Sequence, residues 1–109
     1  MKTLVFLKGS RRKLKAFPEE ARRESGYQLW LVQEGGDPKD WRSMNAVGFG
    51  VREIRIHHPH EHRVIYVAQF ADAIFVLHAF EKKCQETPQR EIEIARKAYA
   101  EIEAYRKQK

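Results

Sequence analysis

Between Val51 and Phe80 the chain holds three strand-like segments with very little between them, and that spacing leaves few folds open. VREIRI (51–56) alternates, placing Arg52, Ile54 and Ile56 on one face and Val51, Glu53 and Arg55 on the other. RVIYVAQF (63–70) is nearly continuous and rich in β-branched residues. AIFVLHAF (73–80) is the most apolar run in the chain, the pattern of a central strand covered on both faces. The connection Ala71-Asp72 is short enough only for an antiparallel hairpin.

The flanking segments supply helices. TLVFL (3–7) reads as a short strand closed by Gly9, after which Ser10 is placed to cap a basic helical turn carrying Leu14 and Phe17. Pro18 suits the first turn of a second helix, with Glu19 and Glu20 near its positive end. Ala21, Gln28, Leu31 and Val32 continue the apolar stripe until Gly35-Gly36 stops it. Residues 36–50 show no sustained period and read as a long loop carrying Lys39, Trp41 and Arg42. Thr87 and Pro88 are placed as cap and first position of a last helix, whose stripe is Ile92, Ala95, Ala98, Tyr99, Ile102 and Tyr105. The expected order is β-α-α-β-β-β-α in one domain, residues 1–109. Such a chain is α+β, with a small, mainly antiparallel sheet and helices on one face.

Charge narrows the partners. Lys and Arg total 21 against 15 Asp and Glu, a net +6 that attracts polyanions, phosphate chains among them. One cysteine, Cys84, excludes an internal disulfide framework and suits a reducing compartment. The apolar run near the N-terminus is too short for a signal-peptide core or a membrane span, so a cytoplasmic protein without membrane contact is expected.

RIHHPHEHR (55–63) packs His57, His58, His60 and His62 between two arginines. Imidazoles suit Zn, Ni or Cu, yet a zinc site needs three or four convergent ligands, and successive residues of an extended chain point to opposite sides. The segment therefore reads as a polar hairpin connection that gains charge below about pH 6.5, and no metal or other cofactor is assigned. A His-rich metal-binding protein is the rival, and would carry stoichiometric metal. His78 stands alone in the most apolar strand, on the face expected to hold Ile74, Val76 and Phe80. It is either a buried, hydrogen-bonded histidine or an acid or base on the floor of a cleft leading to Lys82 and Lys83. Arg55 and Arg63, if on one face, form a guanidinium pair suited to phosphate; Glu53 is placed to neutralise Arg55 instead. Tyr66 can stack on a base or fill the core. The sequence contains no GxxxxGK phosphate loop, GxSxG or HExxH.

GVREIRI, HRVIYVAQF and IFVLHAFEKKCQETPQREIEIA together resemble the RelE/ParE toxin superfamily of bacterial type II toxin–antitoxin systems, most closely its phage-derived, HigB-like branch. The resemblance runs from about Gly48 to Ala98 and fits the order of elements upstream. It implies a ribosome-associated endoribonuclease that cleaves mRNA without a metal. A cognate antitoxin, often a helix-turn-helix protein, neutralises such a toxin, and the pair can form a heterotetramer. Arg63 matches the arginine that contacts the scissile phosphate in this branch, and Arg55 matches the last arginine of the preceding strand motif. His78, Lys82 and Lys83 match the histidine and paired lysines closing the last strand. Val51 and Glu53 stand where RelE-type members carry lysines, so their lysine base has no counterpart. Metal-free cleavage activates a 2′-hydroxyl, balances charge on a phosphorane and protonates the leaving oxygen. The catalytic candidates are thus Arg55, Arg63, Lys83 and His78, with Glu53 an alternative base. Lys39, Arg42, Arg52, Tyr66 and Lys82 are the candidates for holding flanking RNA. Other branches inhibit DNA gyrase, and a ParE-like inhibitor or an inactive antitoxin partner is the alternative.

Overall fold

The three closely spaced strands form the middle of a five-stranded sheet in the computed structural model, which describes residues 1–108. The elements are β1 (Thr3–Phe6), α1 (Ser10–Lys15), α2 (Glu19–Gln33), β2 (Trp41–Ser43), β3 (Val51–Ile56), β4 (His62–Val67), β5 (Ala73–Glu81) and α3 (Gln89–Lys107). The sheet order is β1-β5-β4-β3-β2. β1 runs parallel to β5, and the other pairs are antiparallel, so the sheet is mixed. The α+β class and the order of the long elements are as expected. β2 is an addition: Trp41 to Ser43 leave the expected loop and pair with β3, Trp41 opposite Ile54.

The helices lie on both faces of the sheet rather than one. Leu14, Phe17, Ala21, Leu29 and Val32 of the first two helices pack on Ile54, Val64, Tyr66, Ile74 and Val76. Ala95, Ala98 and Ile102 of α3 pack on Val51, Ile65, Val67, Phe75 and Leu77. The cause is the composition of β4 and β5. All of β4, and β5 up to Phe80, is buried, and strands that are apolar on both sides need cover on both.

One irregularity re-aims the second half of β5. Ile65 pairs with His78 but Tyr66 pairs with Val76, so Leu77 is an extra residue in that strand. Beyond it the alternation inverts. His78 therefore leaves the face of Ile74 and Val76, where strict alternation placed it, and joins Glu53, Arg55 and Arg63 on the α3 face.

Expected caps are used otherwise. The Ser10 hydroxyl donates to the Val76 carbonyl at 3.0 Å, tying α1 beside β5, while Gly9 (φ 73) takes the cap position. The Thr87 hydroxyl donates to Glu53 Oε2 at 3.2 Å instead of capping α3. In α2 it is Leu29, 1% exposed, that enters the core in place of Leu31. The glycine stop holds, since Gly35 is left-handed (φ 94) and the N–H groups of Gly35 and Gly36 donate to Val32 and Leu31. Among the described residues, no helix is long and apolar enough to cross a membrane.

Candidate active site

The β3–β4 register sets Arg55 directly opposite Arg63, and both project to the α3 face. Two like charges so placed repel, and the pair persists only with counter-ions. Arg63 is 2% exposed: Nη1 donates to the His62 carbonyl at 3.0 Å and Nη2 to Glu61 Oε1 at 2.9 Å. Its Nε faces Glu53 Oε1 at 3.7 Å, an ion pair between side chains that are both buried. Arg55 is partly exposed and faces Asp40 Oδ1 at 4.0 Å. The counter-ion expected from Glu53 thus goes to Arg63 rather than Arg55. Neither guanidinium Nε has a hydrogen-bond partner among the described residues.

One step along the strands, on the same face, lies His78, also 2% exposed. Its Nε2 is 2.7 Å from Glu91 Oε1 on α3, and its Nδ1 is 3.5 Å from Lys13 Nζ on α1. An ammonium only donates, so Nδ1 accepts, Nε2–H donates, and the ring is the neutral tautomer. Burial holds the imidazole below its ordinary range, opposed by Glu91 and assisted by the nearby Lys13 charge. The ring also stacks on Phe80, with centroids 5.1 Å apart.

Cations border this floor. Lys82 and Lys83 line an open depression with Glu61 and the exposed Cys84. Lys39 and Arg55 line a second depression with Asp40, His57 and the acidic Glu20 and Glu24 of α2, and Lys39 Nζ lies 5.6 Å over the Tyr27 ring, on the α2 side of the sheet. Arg42, exposed on β2, sits opposite Glu53 on the same face. Arg52 is elsewhere: it lies on the α2 face, bonded to Asp37 at 2.8 Å and stacked 3.9 Å over the Trp41 ring. Tyr66 is wholly buried in the core, with no ring face open to a base, and burial raises its phenol pKa. The sheet thus gathers Arg42, Arg55, Arg63 and His78, sets Lys82 and Lys83 at the margin, and leaves Lys39, Arg52 and Tyr66 on the α2 side.

The four clustered histidines diverge. His57 stands between two carboxylates, with Nε2 2.6 Å from Asp40 and Nδ1 2.9 Å from Glu61. His62 turns inward against Phe17, its Nδ1 3.1 Å from the His60 carbonyl oxygen, while His58 and His60 are exposed. Among the described residues, no three metal-ligating side chains are grouped to hold an ion.

The model of the family described as phage derived protein Gp49-like (DUF891) matches residues 12–100, from α1 well into α3. The chain belongs to that family. Gp49-like proteins are phage-derived, RelE-like toxins of toxin–antitoxin systems. No curated protein matches the chain.

Every candidate residue of this Gp49-like toxin lies inside the matched span. The partners that hold those residues were harder to read. Asp40 and Glu61 bind the arginines, Lys13 and Glu91 bind His78, and Thr87 binds Glu53. Glu91 sits in the first turn of α3, where an acidic residue needs no explanation beyond the helix dipole. Lys13 lies in a basic run and Thr87 at a cap position. In each case an ordinary local role hides a contact far along the chain.

Proposed function

We propose that this Gp49-like toxin is a HigB-like endoribonuclease that cleaves mRNA on the ribosome, without a metal, and is neutralised by a cognate antitoxin. The observation that carries this reading is the opposed Arg55–Arg63 pair, set on a buried floor of Glu53 and His78 and bordered by Lys82 and Lys83. Attack by a 2′-oxygen on the adjacent phosphorus forms one P–O bond and breaks the bond to the 5′-oxygen. The pentavalent intermediate carries extra negative charge, and fixed guanidinium groups are the donors that stabilise it. Arg55 and Arg63 take this role, with Lys83 beside them. His78 supplies proton transfer, kept neutral by burial, its acceptor Nδ1 reaching the 2′-hydroxyl once the long 3.5 Å contact with Lys13 is given up, a function worth about 10²–10⁴-fold in rate. Glu53 is the alternative base. Lys39, Arg42 and Lys82 hold flanking phosphates. The antitoxin is a helix-turn-helix protein, the complex a heterotetramer, and the site of action the cytoplasm, with residues 1–109 acting as one unit.

A second reading is favoured by a specific observation. Arg63 and His78 are both 2% exposed, which suits a toxin that acts by binding, such as a gyrase inhibitor. Expression with and without the antitoxin separates the two. Ribosome-dependent mRNA cleavage and growth arrest, both lost in Arg63→Ala and His78→Ala, are expected. Arrest with intact mRNA and broken chromosomes would replace the nuclease with the gyrase inhibitor.

A further inference from the structure

His57, on the connection between β3 and β4, contacts two carboxylates: Nε2 lies 2.6 Å from Asp40 Oδ2, and Nδ1 lies 2.9 Å from Glu61 Oε2 and 3.1 Å from Glu61 Oε1. A neutral imidazole has a single N–H, so one of these contacts would set lone pair against lone pair. Both are satisfied only by an imidazolium, so His57 is charged in this geometry. Its titration is accordingly raised above the ordinary imidazole range by hydrogen bonds to Asp40 and Glu61.

The same two carboxylates are the counter-ions of the arginine pair: Asp40 turns its other oxygen to Arg55, and Glu61 shares Oε1 between His57 and Arg63. Asp40 Oδ1 faces Arg55 at 4.0 Å, and Glu61 Oε1 accepts from Arg63 Nη2 at 2.9 Å. The result is a chain of alternating charge, Arg55–Asp40–His57–Glu61–Arg63, lying between the Lys39 depression and the Lys82-Lys83 depression. Glu20 and Glu24 of α2, Lys39 and His58 border it on the Asp40 side; Lys82 and Lys83 border it on the Glu61 side. Glu61 is 43% exposed and Arg63 only 2%, so the solvent-facing carboxylate on this guanidinium is Glu61 and the buried one is Glu53.

We propose that His57 is a positioning residue for Arg55 and Arg63: its charge decides how firmly Asp40 and Glu61 hold the arginines, and hence how well the pair binds an RNA phosphate. A charged His57 shares both carboxylates and lets them turn from the arginines when a phosphate arrives. Once it loses its proton, at least one carboxylate has only its arginine for a counter-ion and competes with the phosphate. Affinity for RNA therefore falls as pH rises through the His57 titration. The inference rests on the arginine pair being the phosphate site of the proposed nuclease.

The test is binding of a short 2′-O-methyl oligoribonucleotide, which cannot be cleaved by 2′-attack, followed by fluorescence anisotropy from pH 5.5 to 8.5. The wild-type chain should bind more weakly by about fivefold or more over that range, the lower end of usual coupling between sites. His57→Ala should bind weakly throughout, and Asp40→Asn with Glu61→Gln tightly throughout, both with the pH dependence removed. Glu101→Gln with Glu103→Gln, two exposed α3 carboxylates paired with Lys8 and Lys107, controls for the loss of two negative charges alone. His57 ring resonances provide a readout independent of RNA, and should titrate at lower pH in the Asp40→Asn, Glu61→Gln protein. Wild-type pH dependence persisting in His57→Ala, or no gain in affinity of the Asp40→Asn, Glu61→Gln protein beyond that of the Glu101→Gln, Glu103→Gln protein, would overturn the proposal. Unchanged binding in Arg55→Ala and Arg63→Ala would instead remove the phosphate site itself, and the proposed function with it.

Discussion

Glu53 is 1% exposed, and its carboxylate meets the Arg63 guanidinium at 3.7 Å and the Thr87 hydroxyl at 3.2 Å. Deleting one partner of a buried ion pair strands the other charge, at a cost of about 3–5 kcal/mol. Arg63→Ala should therefore lower stability by about 3 kcal/mol in urea unfolding, and adding Glu53→Gln should restore a large part of that loss. A double variant no more stable than Arg63→Ala would mean that Glu53 does not depend on Arg63. His78 makes a separate prediction about pH. Its folded pKa lies below the unfolded value of about 6.5, so the unfolded chain takes up the proton first as pH falls. Stability from this group is intact above that value and is lost as pH drops from it towards the folded pKa. Urea midpoints between pH 7.5 and 5 should thus fall more steeply for the wild type than for His78→Gln. Equal slopes would count against a neutral, buried His78.

At the scale of elements, α2 offers two glycines with opposite expected signs. Gly26 lies inside the helix, and a methyl group there would meet nothing within 4 Å, so Gly26→Ala should stabilise by about 0.5–1 kcal/mol. Gly35 ends the helix at φ 94, where a Cβ is strained, and Gly35→Ala should cost about 1–2 kcal/mol. Thermal unfolding of the two single variants should show the transition moving up for one and down for the other. Both signs rest on a helix end already visible in the Gly35-Gly36 pair. The strands and their hairpin order were legible for a similar reason, because their periodicity and their short connections are local properties. The side on which helices pack and the facing of His78 were not. Face assignment assumes a constant period of two, and the extra residue at Leu77 breaks that period without any glycine or proline to announce it. The caps misled in the same way. Ser10 and Thr87 have the right chemistry for a helix start, but Val76 and Glu53, distant in sequence, take their hydroxyls.

Across the whole molecule the legible quantity is charge and the hidden one is its distribution. A net +6 points to polyanions, but only the folded sheet shows that Arg42, Arg55 and Arg63 share one face with Lys82 and Lys83 at its margin, while Arg52 is spent on Asp37 and Trp41 and Lys39 lies over Tyr27. Salt dependence separates a site from a diffuse field. Each phosphate neutralised on a single strand contributes about −0.7 to the slope of log affinity against log salt, so five contacts give about −3.5. Replacing Lys82 and Lys83 by alanine should reduce the slope to about −2. Replacing Arg106 and Lys107 by alanine removes the same charge at the far end of the sheet, where Arg106 pairs with Asp72 in the β4–β5 turn. That protein has the same net charge as the first double variant, yet it should keep the wild-type slope. Equal slopes in the two double variants would mean that RNA responds to the overall charge of the molecule and not to the arginine site.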